Sequence, residues 1–191
     1  MDVTSFLIYC TIATFTPGPT NIVILSTVNK FGAKKAMKYA YGATAGFGSL
    51  LIISAILNAL LLTIIPKILI VIQIIGSGYM LFLAYQIFKT DTSNRTVNQS
   101  ATFMSGFLMQ FLNPKVVLFA ITVIPSFIIS YYNTFPAITV SIITITMIGF
   151  SAFTTWVLFG TIFKAFIRKY NRFVNVIMAI FLAYAAIMIW I

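Results

Sequence analysis

The chain has 191 residues, of which 61% are apolar and only 7% are charged, and its formal net charge is +10. A soluble domain has about 45–50% apolar and about 25% charged residues, so neither a soluble domain of this length nor a disordered chain fits this composition. A nucleic-acid-binding domain also fits badly, despite the positive charge, because so few polar residues remain to cover it. The sequence therefore predicts an integral membrane protein.

The rarity of ionisable groups excludes most enzyme chemistry. The chain contains no His and no Glu, and its only acids are Asp2 and Asp91. This composition excludes His-ligated zinc, Ser-His-Asp catalysis and catalysis by paired carboxylates. The single cysteine, Cys10, can form neither an internal disulfide nor a two-thiol relay. We therefore expect no enzymatic activity, no cofactor and no bound metal.

Apolar runs long enough to cross a bilayer follow one another along the chain. A span needs roughly 20 mostly apolar residues, and six such runs lie between the charged segments, which predicts an all-α protein with six transmembrane helices. Several runs exceed 25 residues, and this excess indicates tilt, kinks or breaks. The predicted spans cover residues 3–28, 39–65, 68–88, 102–130, 135–163 and 173–191.

The basic residues indicate the orientation of the spans. Ten of the twelve lie in the first, third and fifth loops, which share one side of the membrane. Basic loops remain in the cytoplasm, so we expect both termini to lie outside. The same charge suits contact with anionic lipid head groups or recruitment of an anionic substrate. Of the other two, Lys67 lies in the second loop and Lys115 lies within the fourth span.

A polar segment at residues 91–101 divides a single membrane domain, residues 1–191, into two repeats. The first repeat covers residues 1–90 and the second covers residues 102–191, with three spans in each. An odd number of spans makes the second repeat enter the membrane from the opposite side, as in many secondary transporters. We therefore predict two inverted three-helix repeats, related by a two-fold axis in the membrane plane.

Proline interrupts the first and the fourth span at corresponding places, because Pro17 and Pro114 are 97 residues apart. Proline breaks or kinks a helix, and the freed backbone groups must face protein or a watery cavity. Proline also suits the first position of a new helix after an Asn or Thr cap. We therefore expect half-helices to open at Thr16-Pro17 and at Asn113-Pro114, where their positive ends could converge on a carboxylate. Ordinary kinks in packed helices are the alternative.

Lys115, beside the second break, is the strongest single feature of the sequence. A lysine within a span costs at least ~2.5 kcal/mol on insertion scales, so we expect it to pair with a substrate carboxylate or to act as a built-in cation between transport cycles. The alternative is that its side chain snorkels to the interface.

The amides Asn21 and Gln110 lie near the breaks and are candidates for the substrate site or for hydrogen bonds between helices. Gly42 and Gly46, four residues apart, favour close helix packing.

Two stretches carry a family resemblance, residues 16–26 (TPGPTNIVILS) and 103–119 (FMSGFLMQFLNPKVVLF). They resemble the signatures of LysE-type translocators, the bacterial amino-acid exporters. The resemblance implies a multi-pass protein of the bacterial inner membrane that exports small amino acids and is driven by the proton gradient. With Gln110 added, the motif residues that carry over form the candidate substrate site: Pro17, Gly18, Pro19, Asn21, Asn113, Pro114 and Lys115.

One departure from the family pattern concerns energy coupling. The family often has an acid directly after the glycine equivalent to Gly46, where this chain has Phe47. Because no acid lies inside a predicted span, either coupling uses another group, such as a desolvated Lys115, or transport is not tightly coupled to protons. The shortage of acids also favours neutral amino acids over cationic ones as substrates.

The expected partners are a small amino acid and membrane lipids, and nucleic acid is not among them. A homodimer is compatible with so small a chain. The alternative function is transport of another small solute, or of a metal cation, by the same fold. Carbonyls, hydroxyls and amides would then have to supply the metal ligands, and the shortage of acids argues against this alternative.

Overall fold

The computed structural model describes residues 3–89, 102–132, 134–188 and Trp190, without the side chains at positions 58–69, 72, 76, 86, 168, 171 and 188. The predicted all-helical character is confirmed within these residues. The polar loop predicted at residues 91–101 lies outside them. The helices are α1 (Val3–Phe15), α2 (Pro19–Phe31), α3 (Ala33–Ile56), α4 (Asn58–Lys89), α5 (Phe103–Leu112), α6 (Pro114–Val123), which continues as a π-helix (Ile124–Ile129), α7 (Phe135–Ile162), α8 (Lys164–Lys169) and α9 (Asn171–Met188).

Several of these helices are suited to a bilayer. Among the described residues, α3 and α7 are each long and apolar enough to cross a membrane. Two helix pairs meet the same condition together, each bent at a short break. The bend between α1 and α2 is 47°, and the bend between α5 and α6 with its π-helical continuation is 67°. The described part of the chain thus has two to four candidate spans by length and composition.

The connection between α3 and α4 lies elsewhere than the sequence predicts. The charge of Lys67 places it between residues 65 and 68, whereas α3 ends at Ile56 and α4 begins at Asn58. Leu57 alone separates the two helices, and its N–H still donates to the carbonyl of Ile53 at 2.9 Å. Apolar residues continue on both sides of this turn, so the hydropathy pattern carries no signal of it. The predicted boundary was therefore wrong.

Glycine lets α3 and α5 approach to backbone contact. A Cβ atom added at Gly42 would overlap the backbone carbonyl of Phe103, and one added at Gly106 would overlap the carbonyl of Tyr39. At Gly46, an added Cβ would lie 2.5 Å from another carbonyl oxygen of α5. Backbone cannot move aside as a side chain can, so these positions require glycine. The contact places α5, and the break that follows it, directly against α3.

The apolar core has two clusters. One cluster joins α2, the N-terminal half of α3, α4 and α9, and its fully buried members include Met80 and Leu182. The other joins α1, the C-terminal half of α3, α6 and the π-helix, and it includes Leu51 and Ile124. Cys10 is buried in this second cluster. Because both clusters draw on α3, this helix connects the two interrupted spans.

Candidate functional site

The two interrupted spans meet at their breaks. Lys115 Nζ donates to the backbone carbonyl oxygen of Thr16 at 3.1 Å and to the Thr16 hydroxyl at 2.7 Å. The stem of the lysine lies over Gly18, where an added Cβ atom would come within 3.3 Å of Lys115 Cδ. Lys115 therefore reaches from one break to the other, across 99 positions of the chain.

The second break opens α6 as the sequence predicts. Asn113 has an extended backbone, and its Oδ1 accepts a hydrogen bond from the backbone N–H of Lys115 at 3.2 Å. Pro114 occupies the first position of α6, where the missing N–H would have had no helical partner. Asn113 therefore caps the half-helix, and the positive end of α6 lies at the break.

The first break opens α2 later than predicted. The sequence places this opening at Thr16-Pro17, but α2 begins at Pro19, after an extended Gly18 that contributes no side-chain cap. Thr16 still belongs to the end of α1, because its N–H donates to the carbonyl of Ile12 at 3.1 Å. Pro17 therefore lies in the link between the helices. Because Thr16 still closes the last turn of α1, the second proline and not the first occupies the first position of α2.

Side chains from other segments satisfy the carbonyls freed at the end of α1. Asn21 Nδ2 donates to the carbonyl of Thr16 at 2.9 Å and to that of Thr14 at 3.2 Å. The indole of Trp156, on α7, donates to the carbonyl of Phe15 at 3.1 Å. Such donors are needed because an unsatisfied backbone group within a membrane costs several kcal/mol. The break is thus held in place by both α2 and α7.

Thr20, which gives no signal in the sequence, joins the two breaks. Its buried hydroxyl oxygen accepts hydrogen bonds from Gln110 Nε2 at 3.2 Å and from Asn113 Nδ2 at 3.1 Å. Gln110 Nε2 also donates to the carbonyl of Gly106 at 3.2 Å. Because both lone pairs of the Thr20 hydroxyl are used, its hydrogen remains available as a donor.

A cavity of about 570 Å³ opens beside the two breaks. Its volume falls within the range of small-molecule sites, about 300–1,000 Å³. The breaks provide its polar lining, and five helices provide an aromatic lining. The aromatic side chains are Tyr9, Phe47, Phe119, Phe153, Phe181 and Tyr184. The cavity therefore suits a small ligand that has a polar end and an uncharged side chain.

The structure brings the predicted site residues together around this cavity. Those that line it are Pro17, Gly18, Asn21, Asn113 and Lys115. Pro19 and Pro114 begin the two half-helices, and the buried Gln110 binds Thr20 at the edge of the site. Phe47, which stands where the family often has an acid, also lines the cavity and packs against Phe119 with ring centroids 5.8 Å apart.

We expect Thr20→Val to destabilise the protein by about 1–3 kcal/mol, because two buried amides would each lose an acceptor while the shape of the side chain is kept. Thermal unfolding of the purified protein in detergent measures this change. Thr155→Val is the matched control, since the Thr155 hydroxyl is exposed and donates within its own helix, to the carbonyl of Ser151 at 2.8 Å. Equal changes in the two variants would contradict a joining role for Thr20.

A cavity with a polar end, placed where two apolar helical spans are broken, is typical of membrane transport proteins. The chain belongs to the LysE type translocator family, whose model matches residues 11–191. The family resemblance of the two interrupted spans is therefore confirmed, and the match extends from within α1 to the end of the chain.

Named relatives are similar to the chain over almost its whole length. The cysteine/O-acetylserine efflux protein of Salmonella paratyphi A is 29% identical over 191 residues, which cover 100% of this chain and 98% of the relative. The protein of the same name from Escherichia coli K12 is 27% identical over 187 residues, covering 97% of this chain and 96% of the relative. No solved structure matches the chain significantly. The relatives are named as efflux proteins rather than as enzymes.

Proposed function

We propose that the protein exports small neutral amino acids across the bacterial inner membrane by alternating access, driven by the proton gradient. The observation that carries this proposal is the contact of Lys115 with Thr16 across the two breaks, beside a cavity with one polar end. Relatives named for the efflux of cysteine and O-acetylserine support the direction of transport and the substrate class.

The proposed frame is a six-span inverted repeat, with both termini outside and the basic loops in the cytoplasm. The first repeat would consist of α1–α2, α3 and α4, and the second of α5–α6, α7 and α9. Helix pairing supports this frame, because α3 packs on α5 as α7 packs on α1, and α2 packs on α7 as α6 packs on α3. The pairs α3–α7 and α4–α9 each join counterparts. A two-fold axis in the membrane plane would produce this reciprocity.

The substrate carboxylate would bind at the positive ends of the half-helices. The first backbone N–H groups of α2, at Thr20 and Asn21, have no acceptor within the helix, and the helix dipole favours an anion there. The Thr20 hydroxyl and the Lys115 ammonium are further donors that line the cavity. A carboxylate that enters would therefore draw the Lys115 ammonium away from Thr16. The carboxylate would replace the Thr16 oxygens as the acceptor of the hydrogen bonds from Lys115.

The rest of the cavity favours a neutral side chain. Its walls are aromatic, and Phe47 presents a ring where the family often has an acid. The acids of the chain, Asp2 and Asp91, both lie outside the predicted spans. A cationic side chain would thus lose its hydration in the cavity without gaining a carboxylate partner.

Counterflow in proteoliposomes tests the proposed function. Internal unlabelled cysteine, O-acetylserine, threonine, homoserine or leucine should drive uptake of the labelled amino acid, and lysine should not. An imposed pH gradient should then raise the internal concentration of the labelled amino acid above the external concentration. Absence of exchange for every amino acid, with folded protein, would overturn the carrier proposal. Exchange that is unchanged by the pH gradient would overturn only the proposal of proton coupling.

A further inference from the structure

We propose that the α-ammonium group of the substrate binds to the oxygens of Thr16 and to Asn21 Oδ1, so that the zwitterion inserts between Lys115 and the first break. This inference rests on the proposed function and names what the site requires of its substrate. Two observations carry it: the ammonium of Lys115 occupies a cation position in the chain itself, and a buried acceptor has no partner within the part of the chain that the structure describes.

The cation position is the place where Lys115 Nζ lies. Two oxygens of Thr16 accept from it, the carbonyl at 3.1 Å and the hydroxyl at 2.7 Å. The carbonyl is one of those without a partner inside the helix where α1 ends, and the C-terminal end of a helix carries a negative partial charge. A primary ammonium that displaces Nζ would therefore meet the same two acceptors.

The buried acceptor is Asn21 Oδ1. Asn21 lines the cavity and is 3% exposed, and its Oδ1 has no hydrogen-bond partner among the described residues. The orientation of the amide is fixed, because its Nδ2 faces the carbonyls of Thr14 and Thr16, which can only accept. The Nδ2 of the same amide shares the Thr16 carbonyl with Lys115 Nζ, so Asn21 Oδ1 belongs to the group of atoms around the cation position. A substrate ammonium, with three donors, would satisfy it after a small displacement of its neighbours.

A zwitterion fits because the site offers a positive group, Lys115, next to the oxygen acceptors that Lys115 now occupies. The carboxylate of the substrate would neutralise Lys115, and its ammonium would take over the oxygens that Lys115 leaves. An anion without an ammonium would leave the Thr16 hydroxyl oxygen and Asn21 Oδ1 without a donor, while the Thr16 carbonyl would keep the hydrogen bond from Asn21 Nδ2. A cation without a carboxylate would meet the ammonium of Lys115 at close range. The site therefore selects α-amino acids against deaminated acids and against amines.

Three thiols of similar size test the inference on the wild-type protein. Under reducing conditions, cysteine, 3-mercaptopropanoate and cysteamine compete in the counterflow assay and are also compared as thermal stabilisers in detergent. We expect cysteine to compete at least about tenfold better than either analogue, since each analogue lacks one charged group. If another amino acid of the panel exchanges faster, that amino acid and its deaminated and decarboxylated analogues are used.

The outcomes separate this inference from the proposed function. Equal competition by cysteine and 3-mercaptopropanoate would overturn the ammonium position, while exchange of amino acids would leave the exporter intact. Failure of the whole panel to exchange would overturn both proposals. The thermal measurement gives the same comparison without any transport step, because a ligand stabilises the folded state that it binds.

Two variants locate the ammonium position. Thr16→Val removes one acceptor and keeps the backbone, and it should lower the preference for cysteine over 3-mercaptopropanoate by at least about threefold. Thr11→Val, on the same helix and exposed, is the control and should keep the wild-type preference. Asn21→Leu should also lower the preference, although it removes the donors that hold the end of α1. An unchanged preference in folded Thr16→Val would overturn the assignment, whether or not Asn21→Leu folds.

Discussion

Lys115→Met should reduce counterflow by roughly 10- to 100-fold, because the substrate carboxylate would lose a charged donor at the breaks. Methionine keeps the length and the apolar stem of the side chain, so the loss is attributable to the ammonium group. Lys115→Arg should retain a substantial part of the exchange, since it keeps a positive charge and several donors. The planar, bulkier guanidinium group must fit where the stem of Lys115 lies over Gly18. The exchange rate of Lys115→Arg should therefore fall between the rates of the wild type and of Lys115→Met.

Exchange of a labelled amino acid at equal amounts of reconstituted protein measures this effect. Lys169→Met is the matched control, because Lys169 lies on α8 with its ammonium 5.3 Å from the ring of Tyr170, outside the cavity. Size-exclusion chromatography and thermal unfolding establish that the variants are folded. Exchange at the wild-type rate in Lys115→Met would remove Lys115 from the site. An equal loss in Lys169→Met would show that the effect is not specific to the breaks.

Gly42→Ala and Gly106→Ala should each destabilise the protein by about 1–3 kcal/mol or more, because a methyl group would have to displace backbone rather than a flexible side chain. Each new Cβ atom would overlap a carbonyl group of the facing helix. Separation of α3 from α5 would also move Gln110 away from Thr20. We therefore expect both variants to lose substrate exchange together with stability.

Thermal unfolding in detergent, followed by fluorescence-detected size exclusion, measures the packing effect. Gly78→Ala is the matched control, because an added Cβ at Gly78 meets nothing within 4 Å. Alanine is favoured over glycine inside a helix by about 1 kcal/mol, so this variant should be as stable as the wild type or more stable. A Gly42→Ala protein that unfolds at the wild-type temperature would contradict the close α3–α5 contact.

The features that could be predicted from the sequence are those in which a single residue type is energetically unfavourable within a transmembrane helix. Proline inside an apolar run and a lysine within a span are both expensive, so the two breaks and Lys115 could be read directly. Asn113 before Pro114 is also a local signal, and α6 does begin there. The family resemblance rests on the same residues, because they are concentrated in the two interrupted spans.

The features that could not be predicted depend on long-range contacts. Thr20 is an ordinary threonine in the first turn of a helix until Gln110 and Asn113, some 90 positions away, donate to it. The choice of Pro19 over Pro17 as the start of α2 depends on how far α1 continues. The turn at Leu57 lies between two apolar helices, so neither hydropathy nor charge marks it.

The intrinsic fluorescence of Trp156 can report on the first break. The chain has two tryptophans, and the other, Trp190, donates to the hydroxyl of Ser77 at 2.8 Å, away from the break. Because Trp156 Nε1 binds the carbonyl of Phe15, any movement that parts α1 from α7 changes the polarity around this indole. A Trp190→Phe chain would thus be a single-tryptophan protein whose intrinsic emission follows the opening of the break, with no label attached.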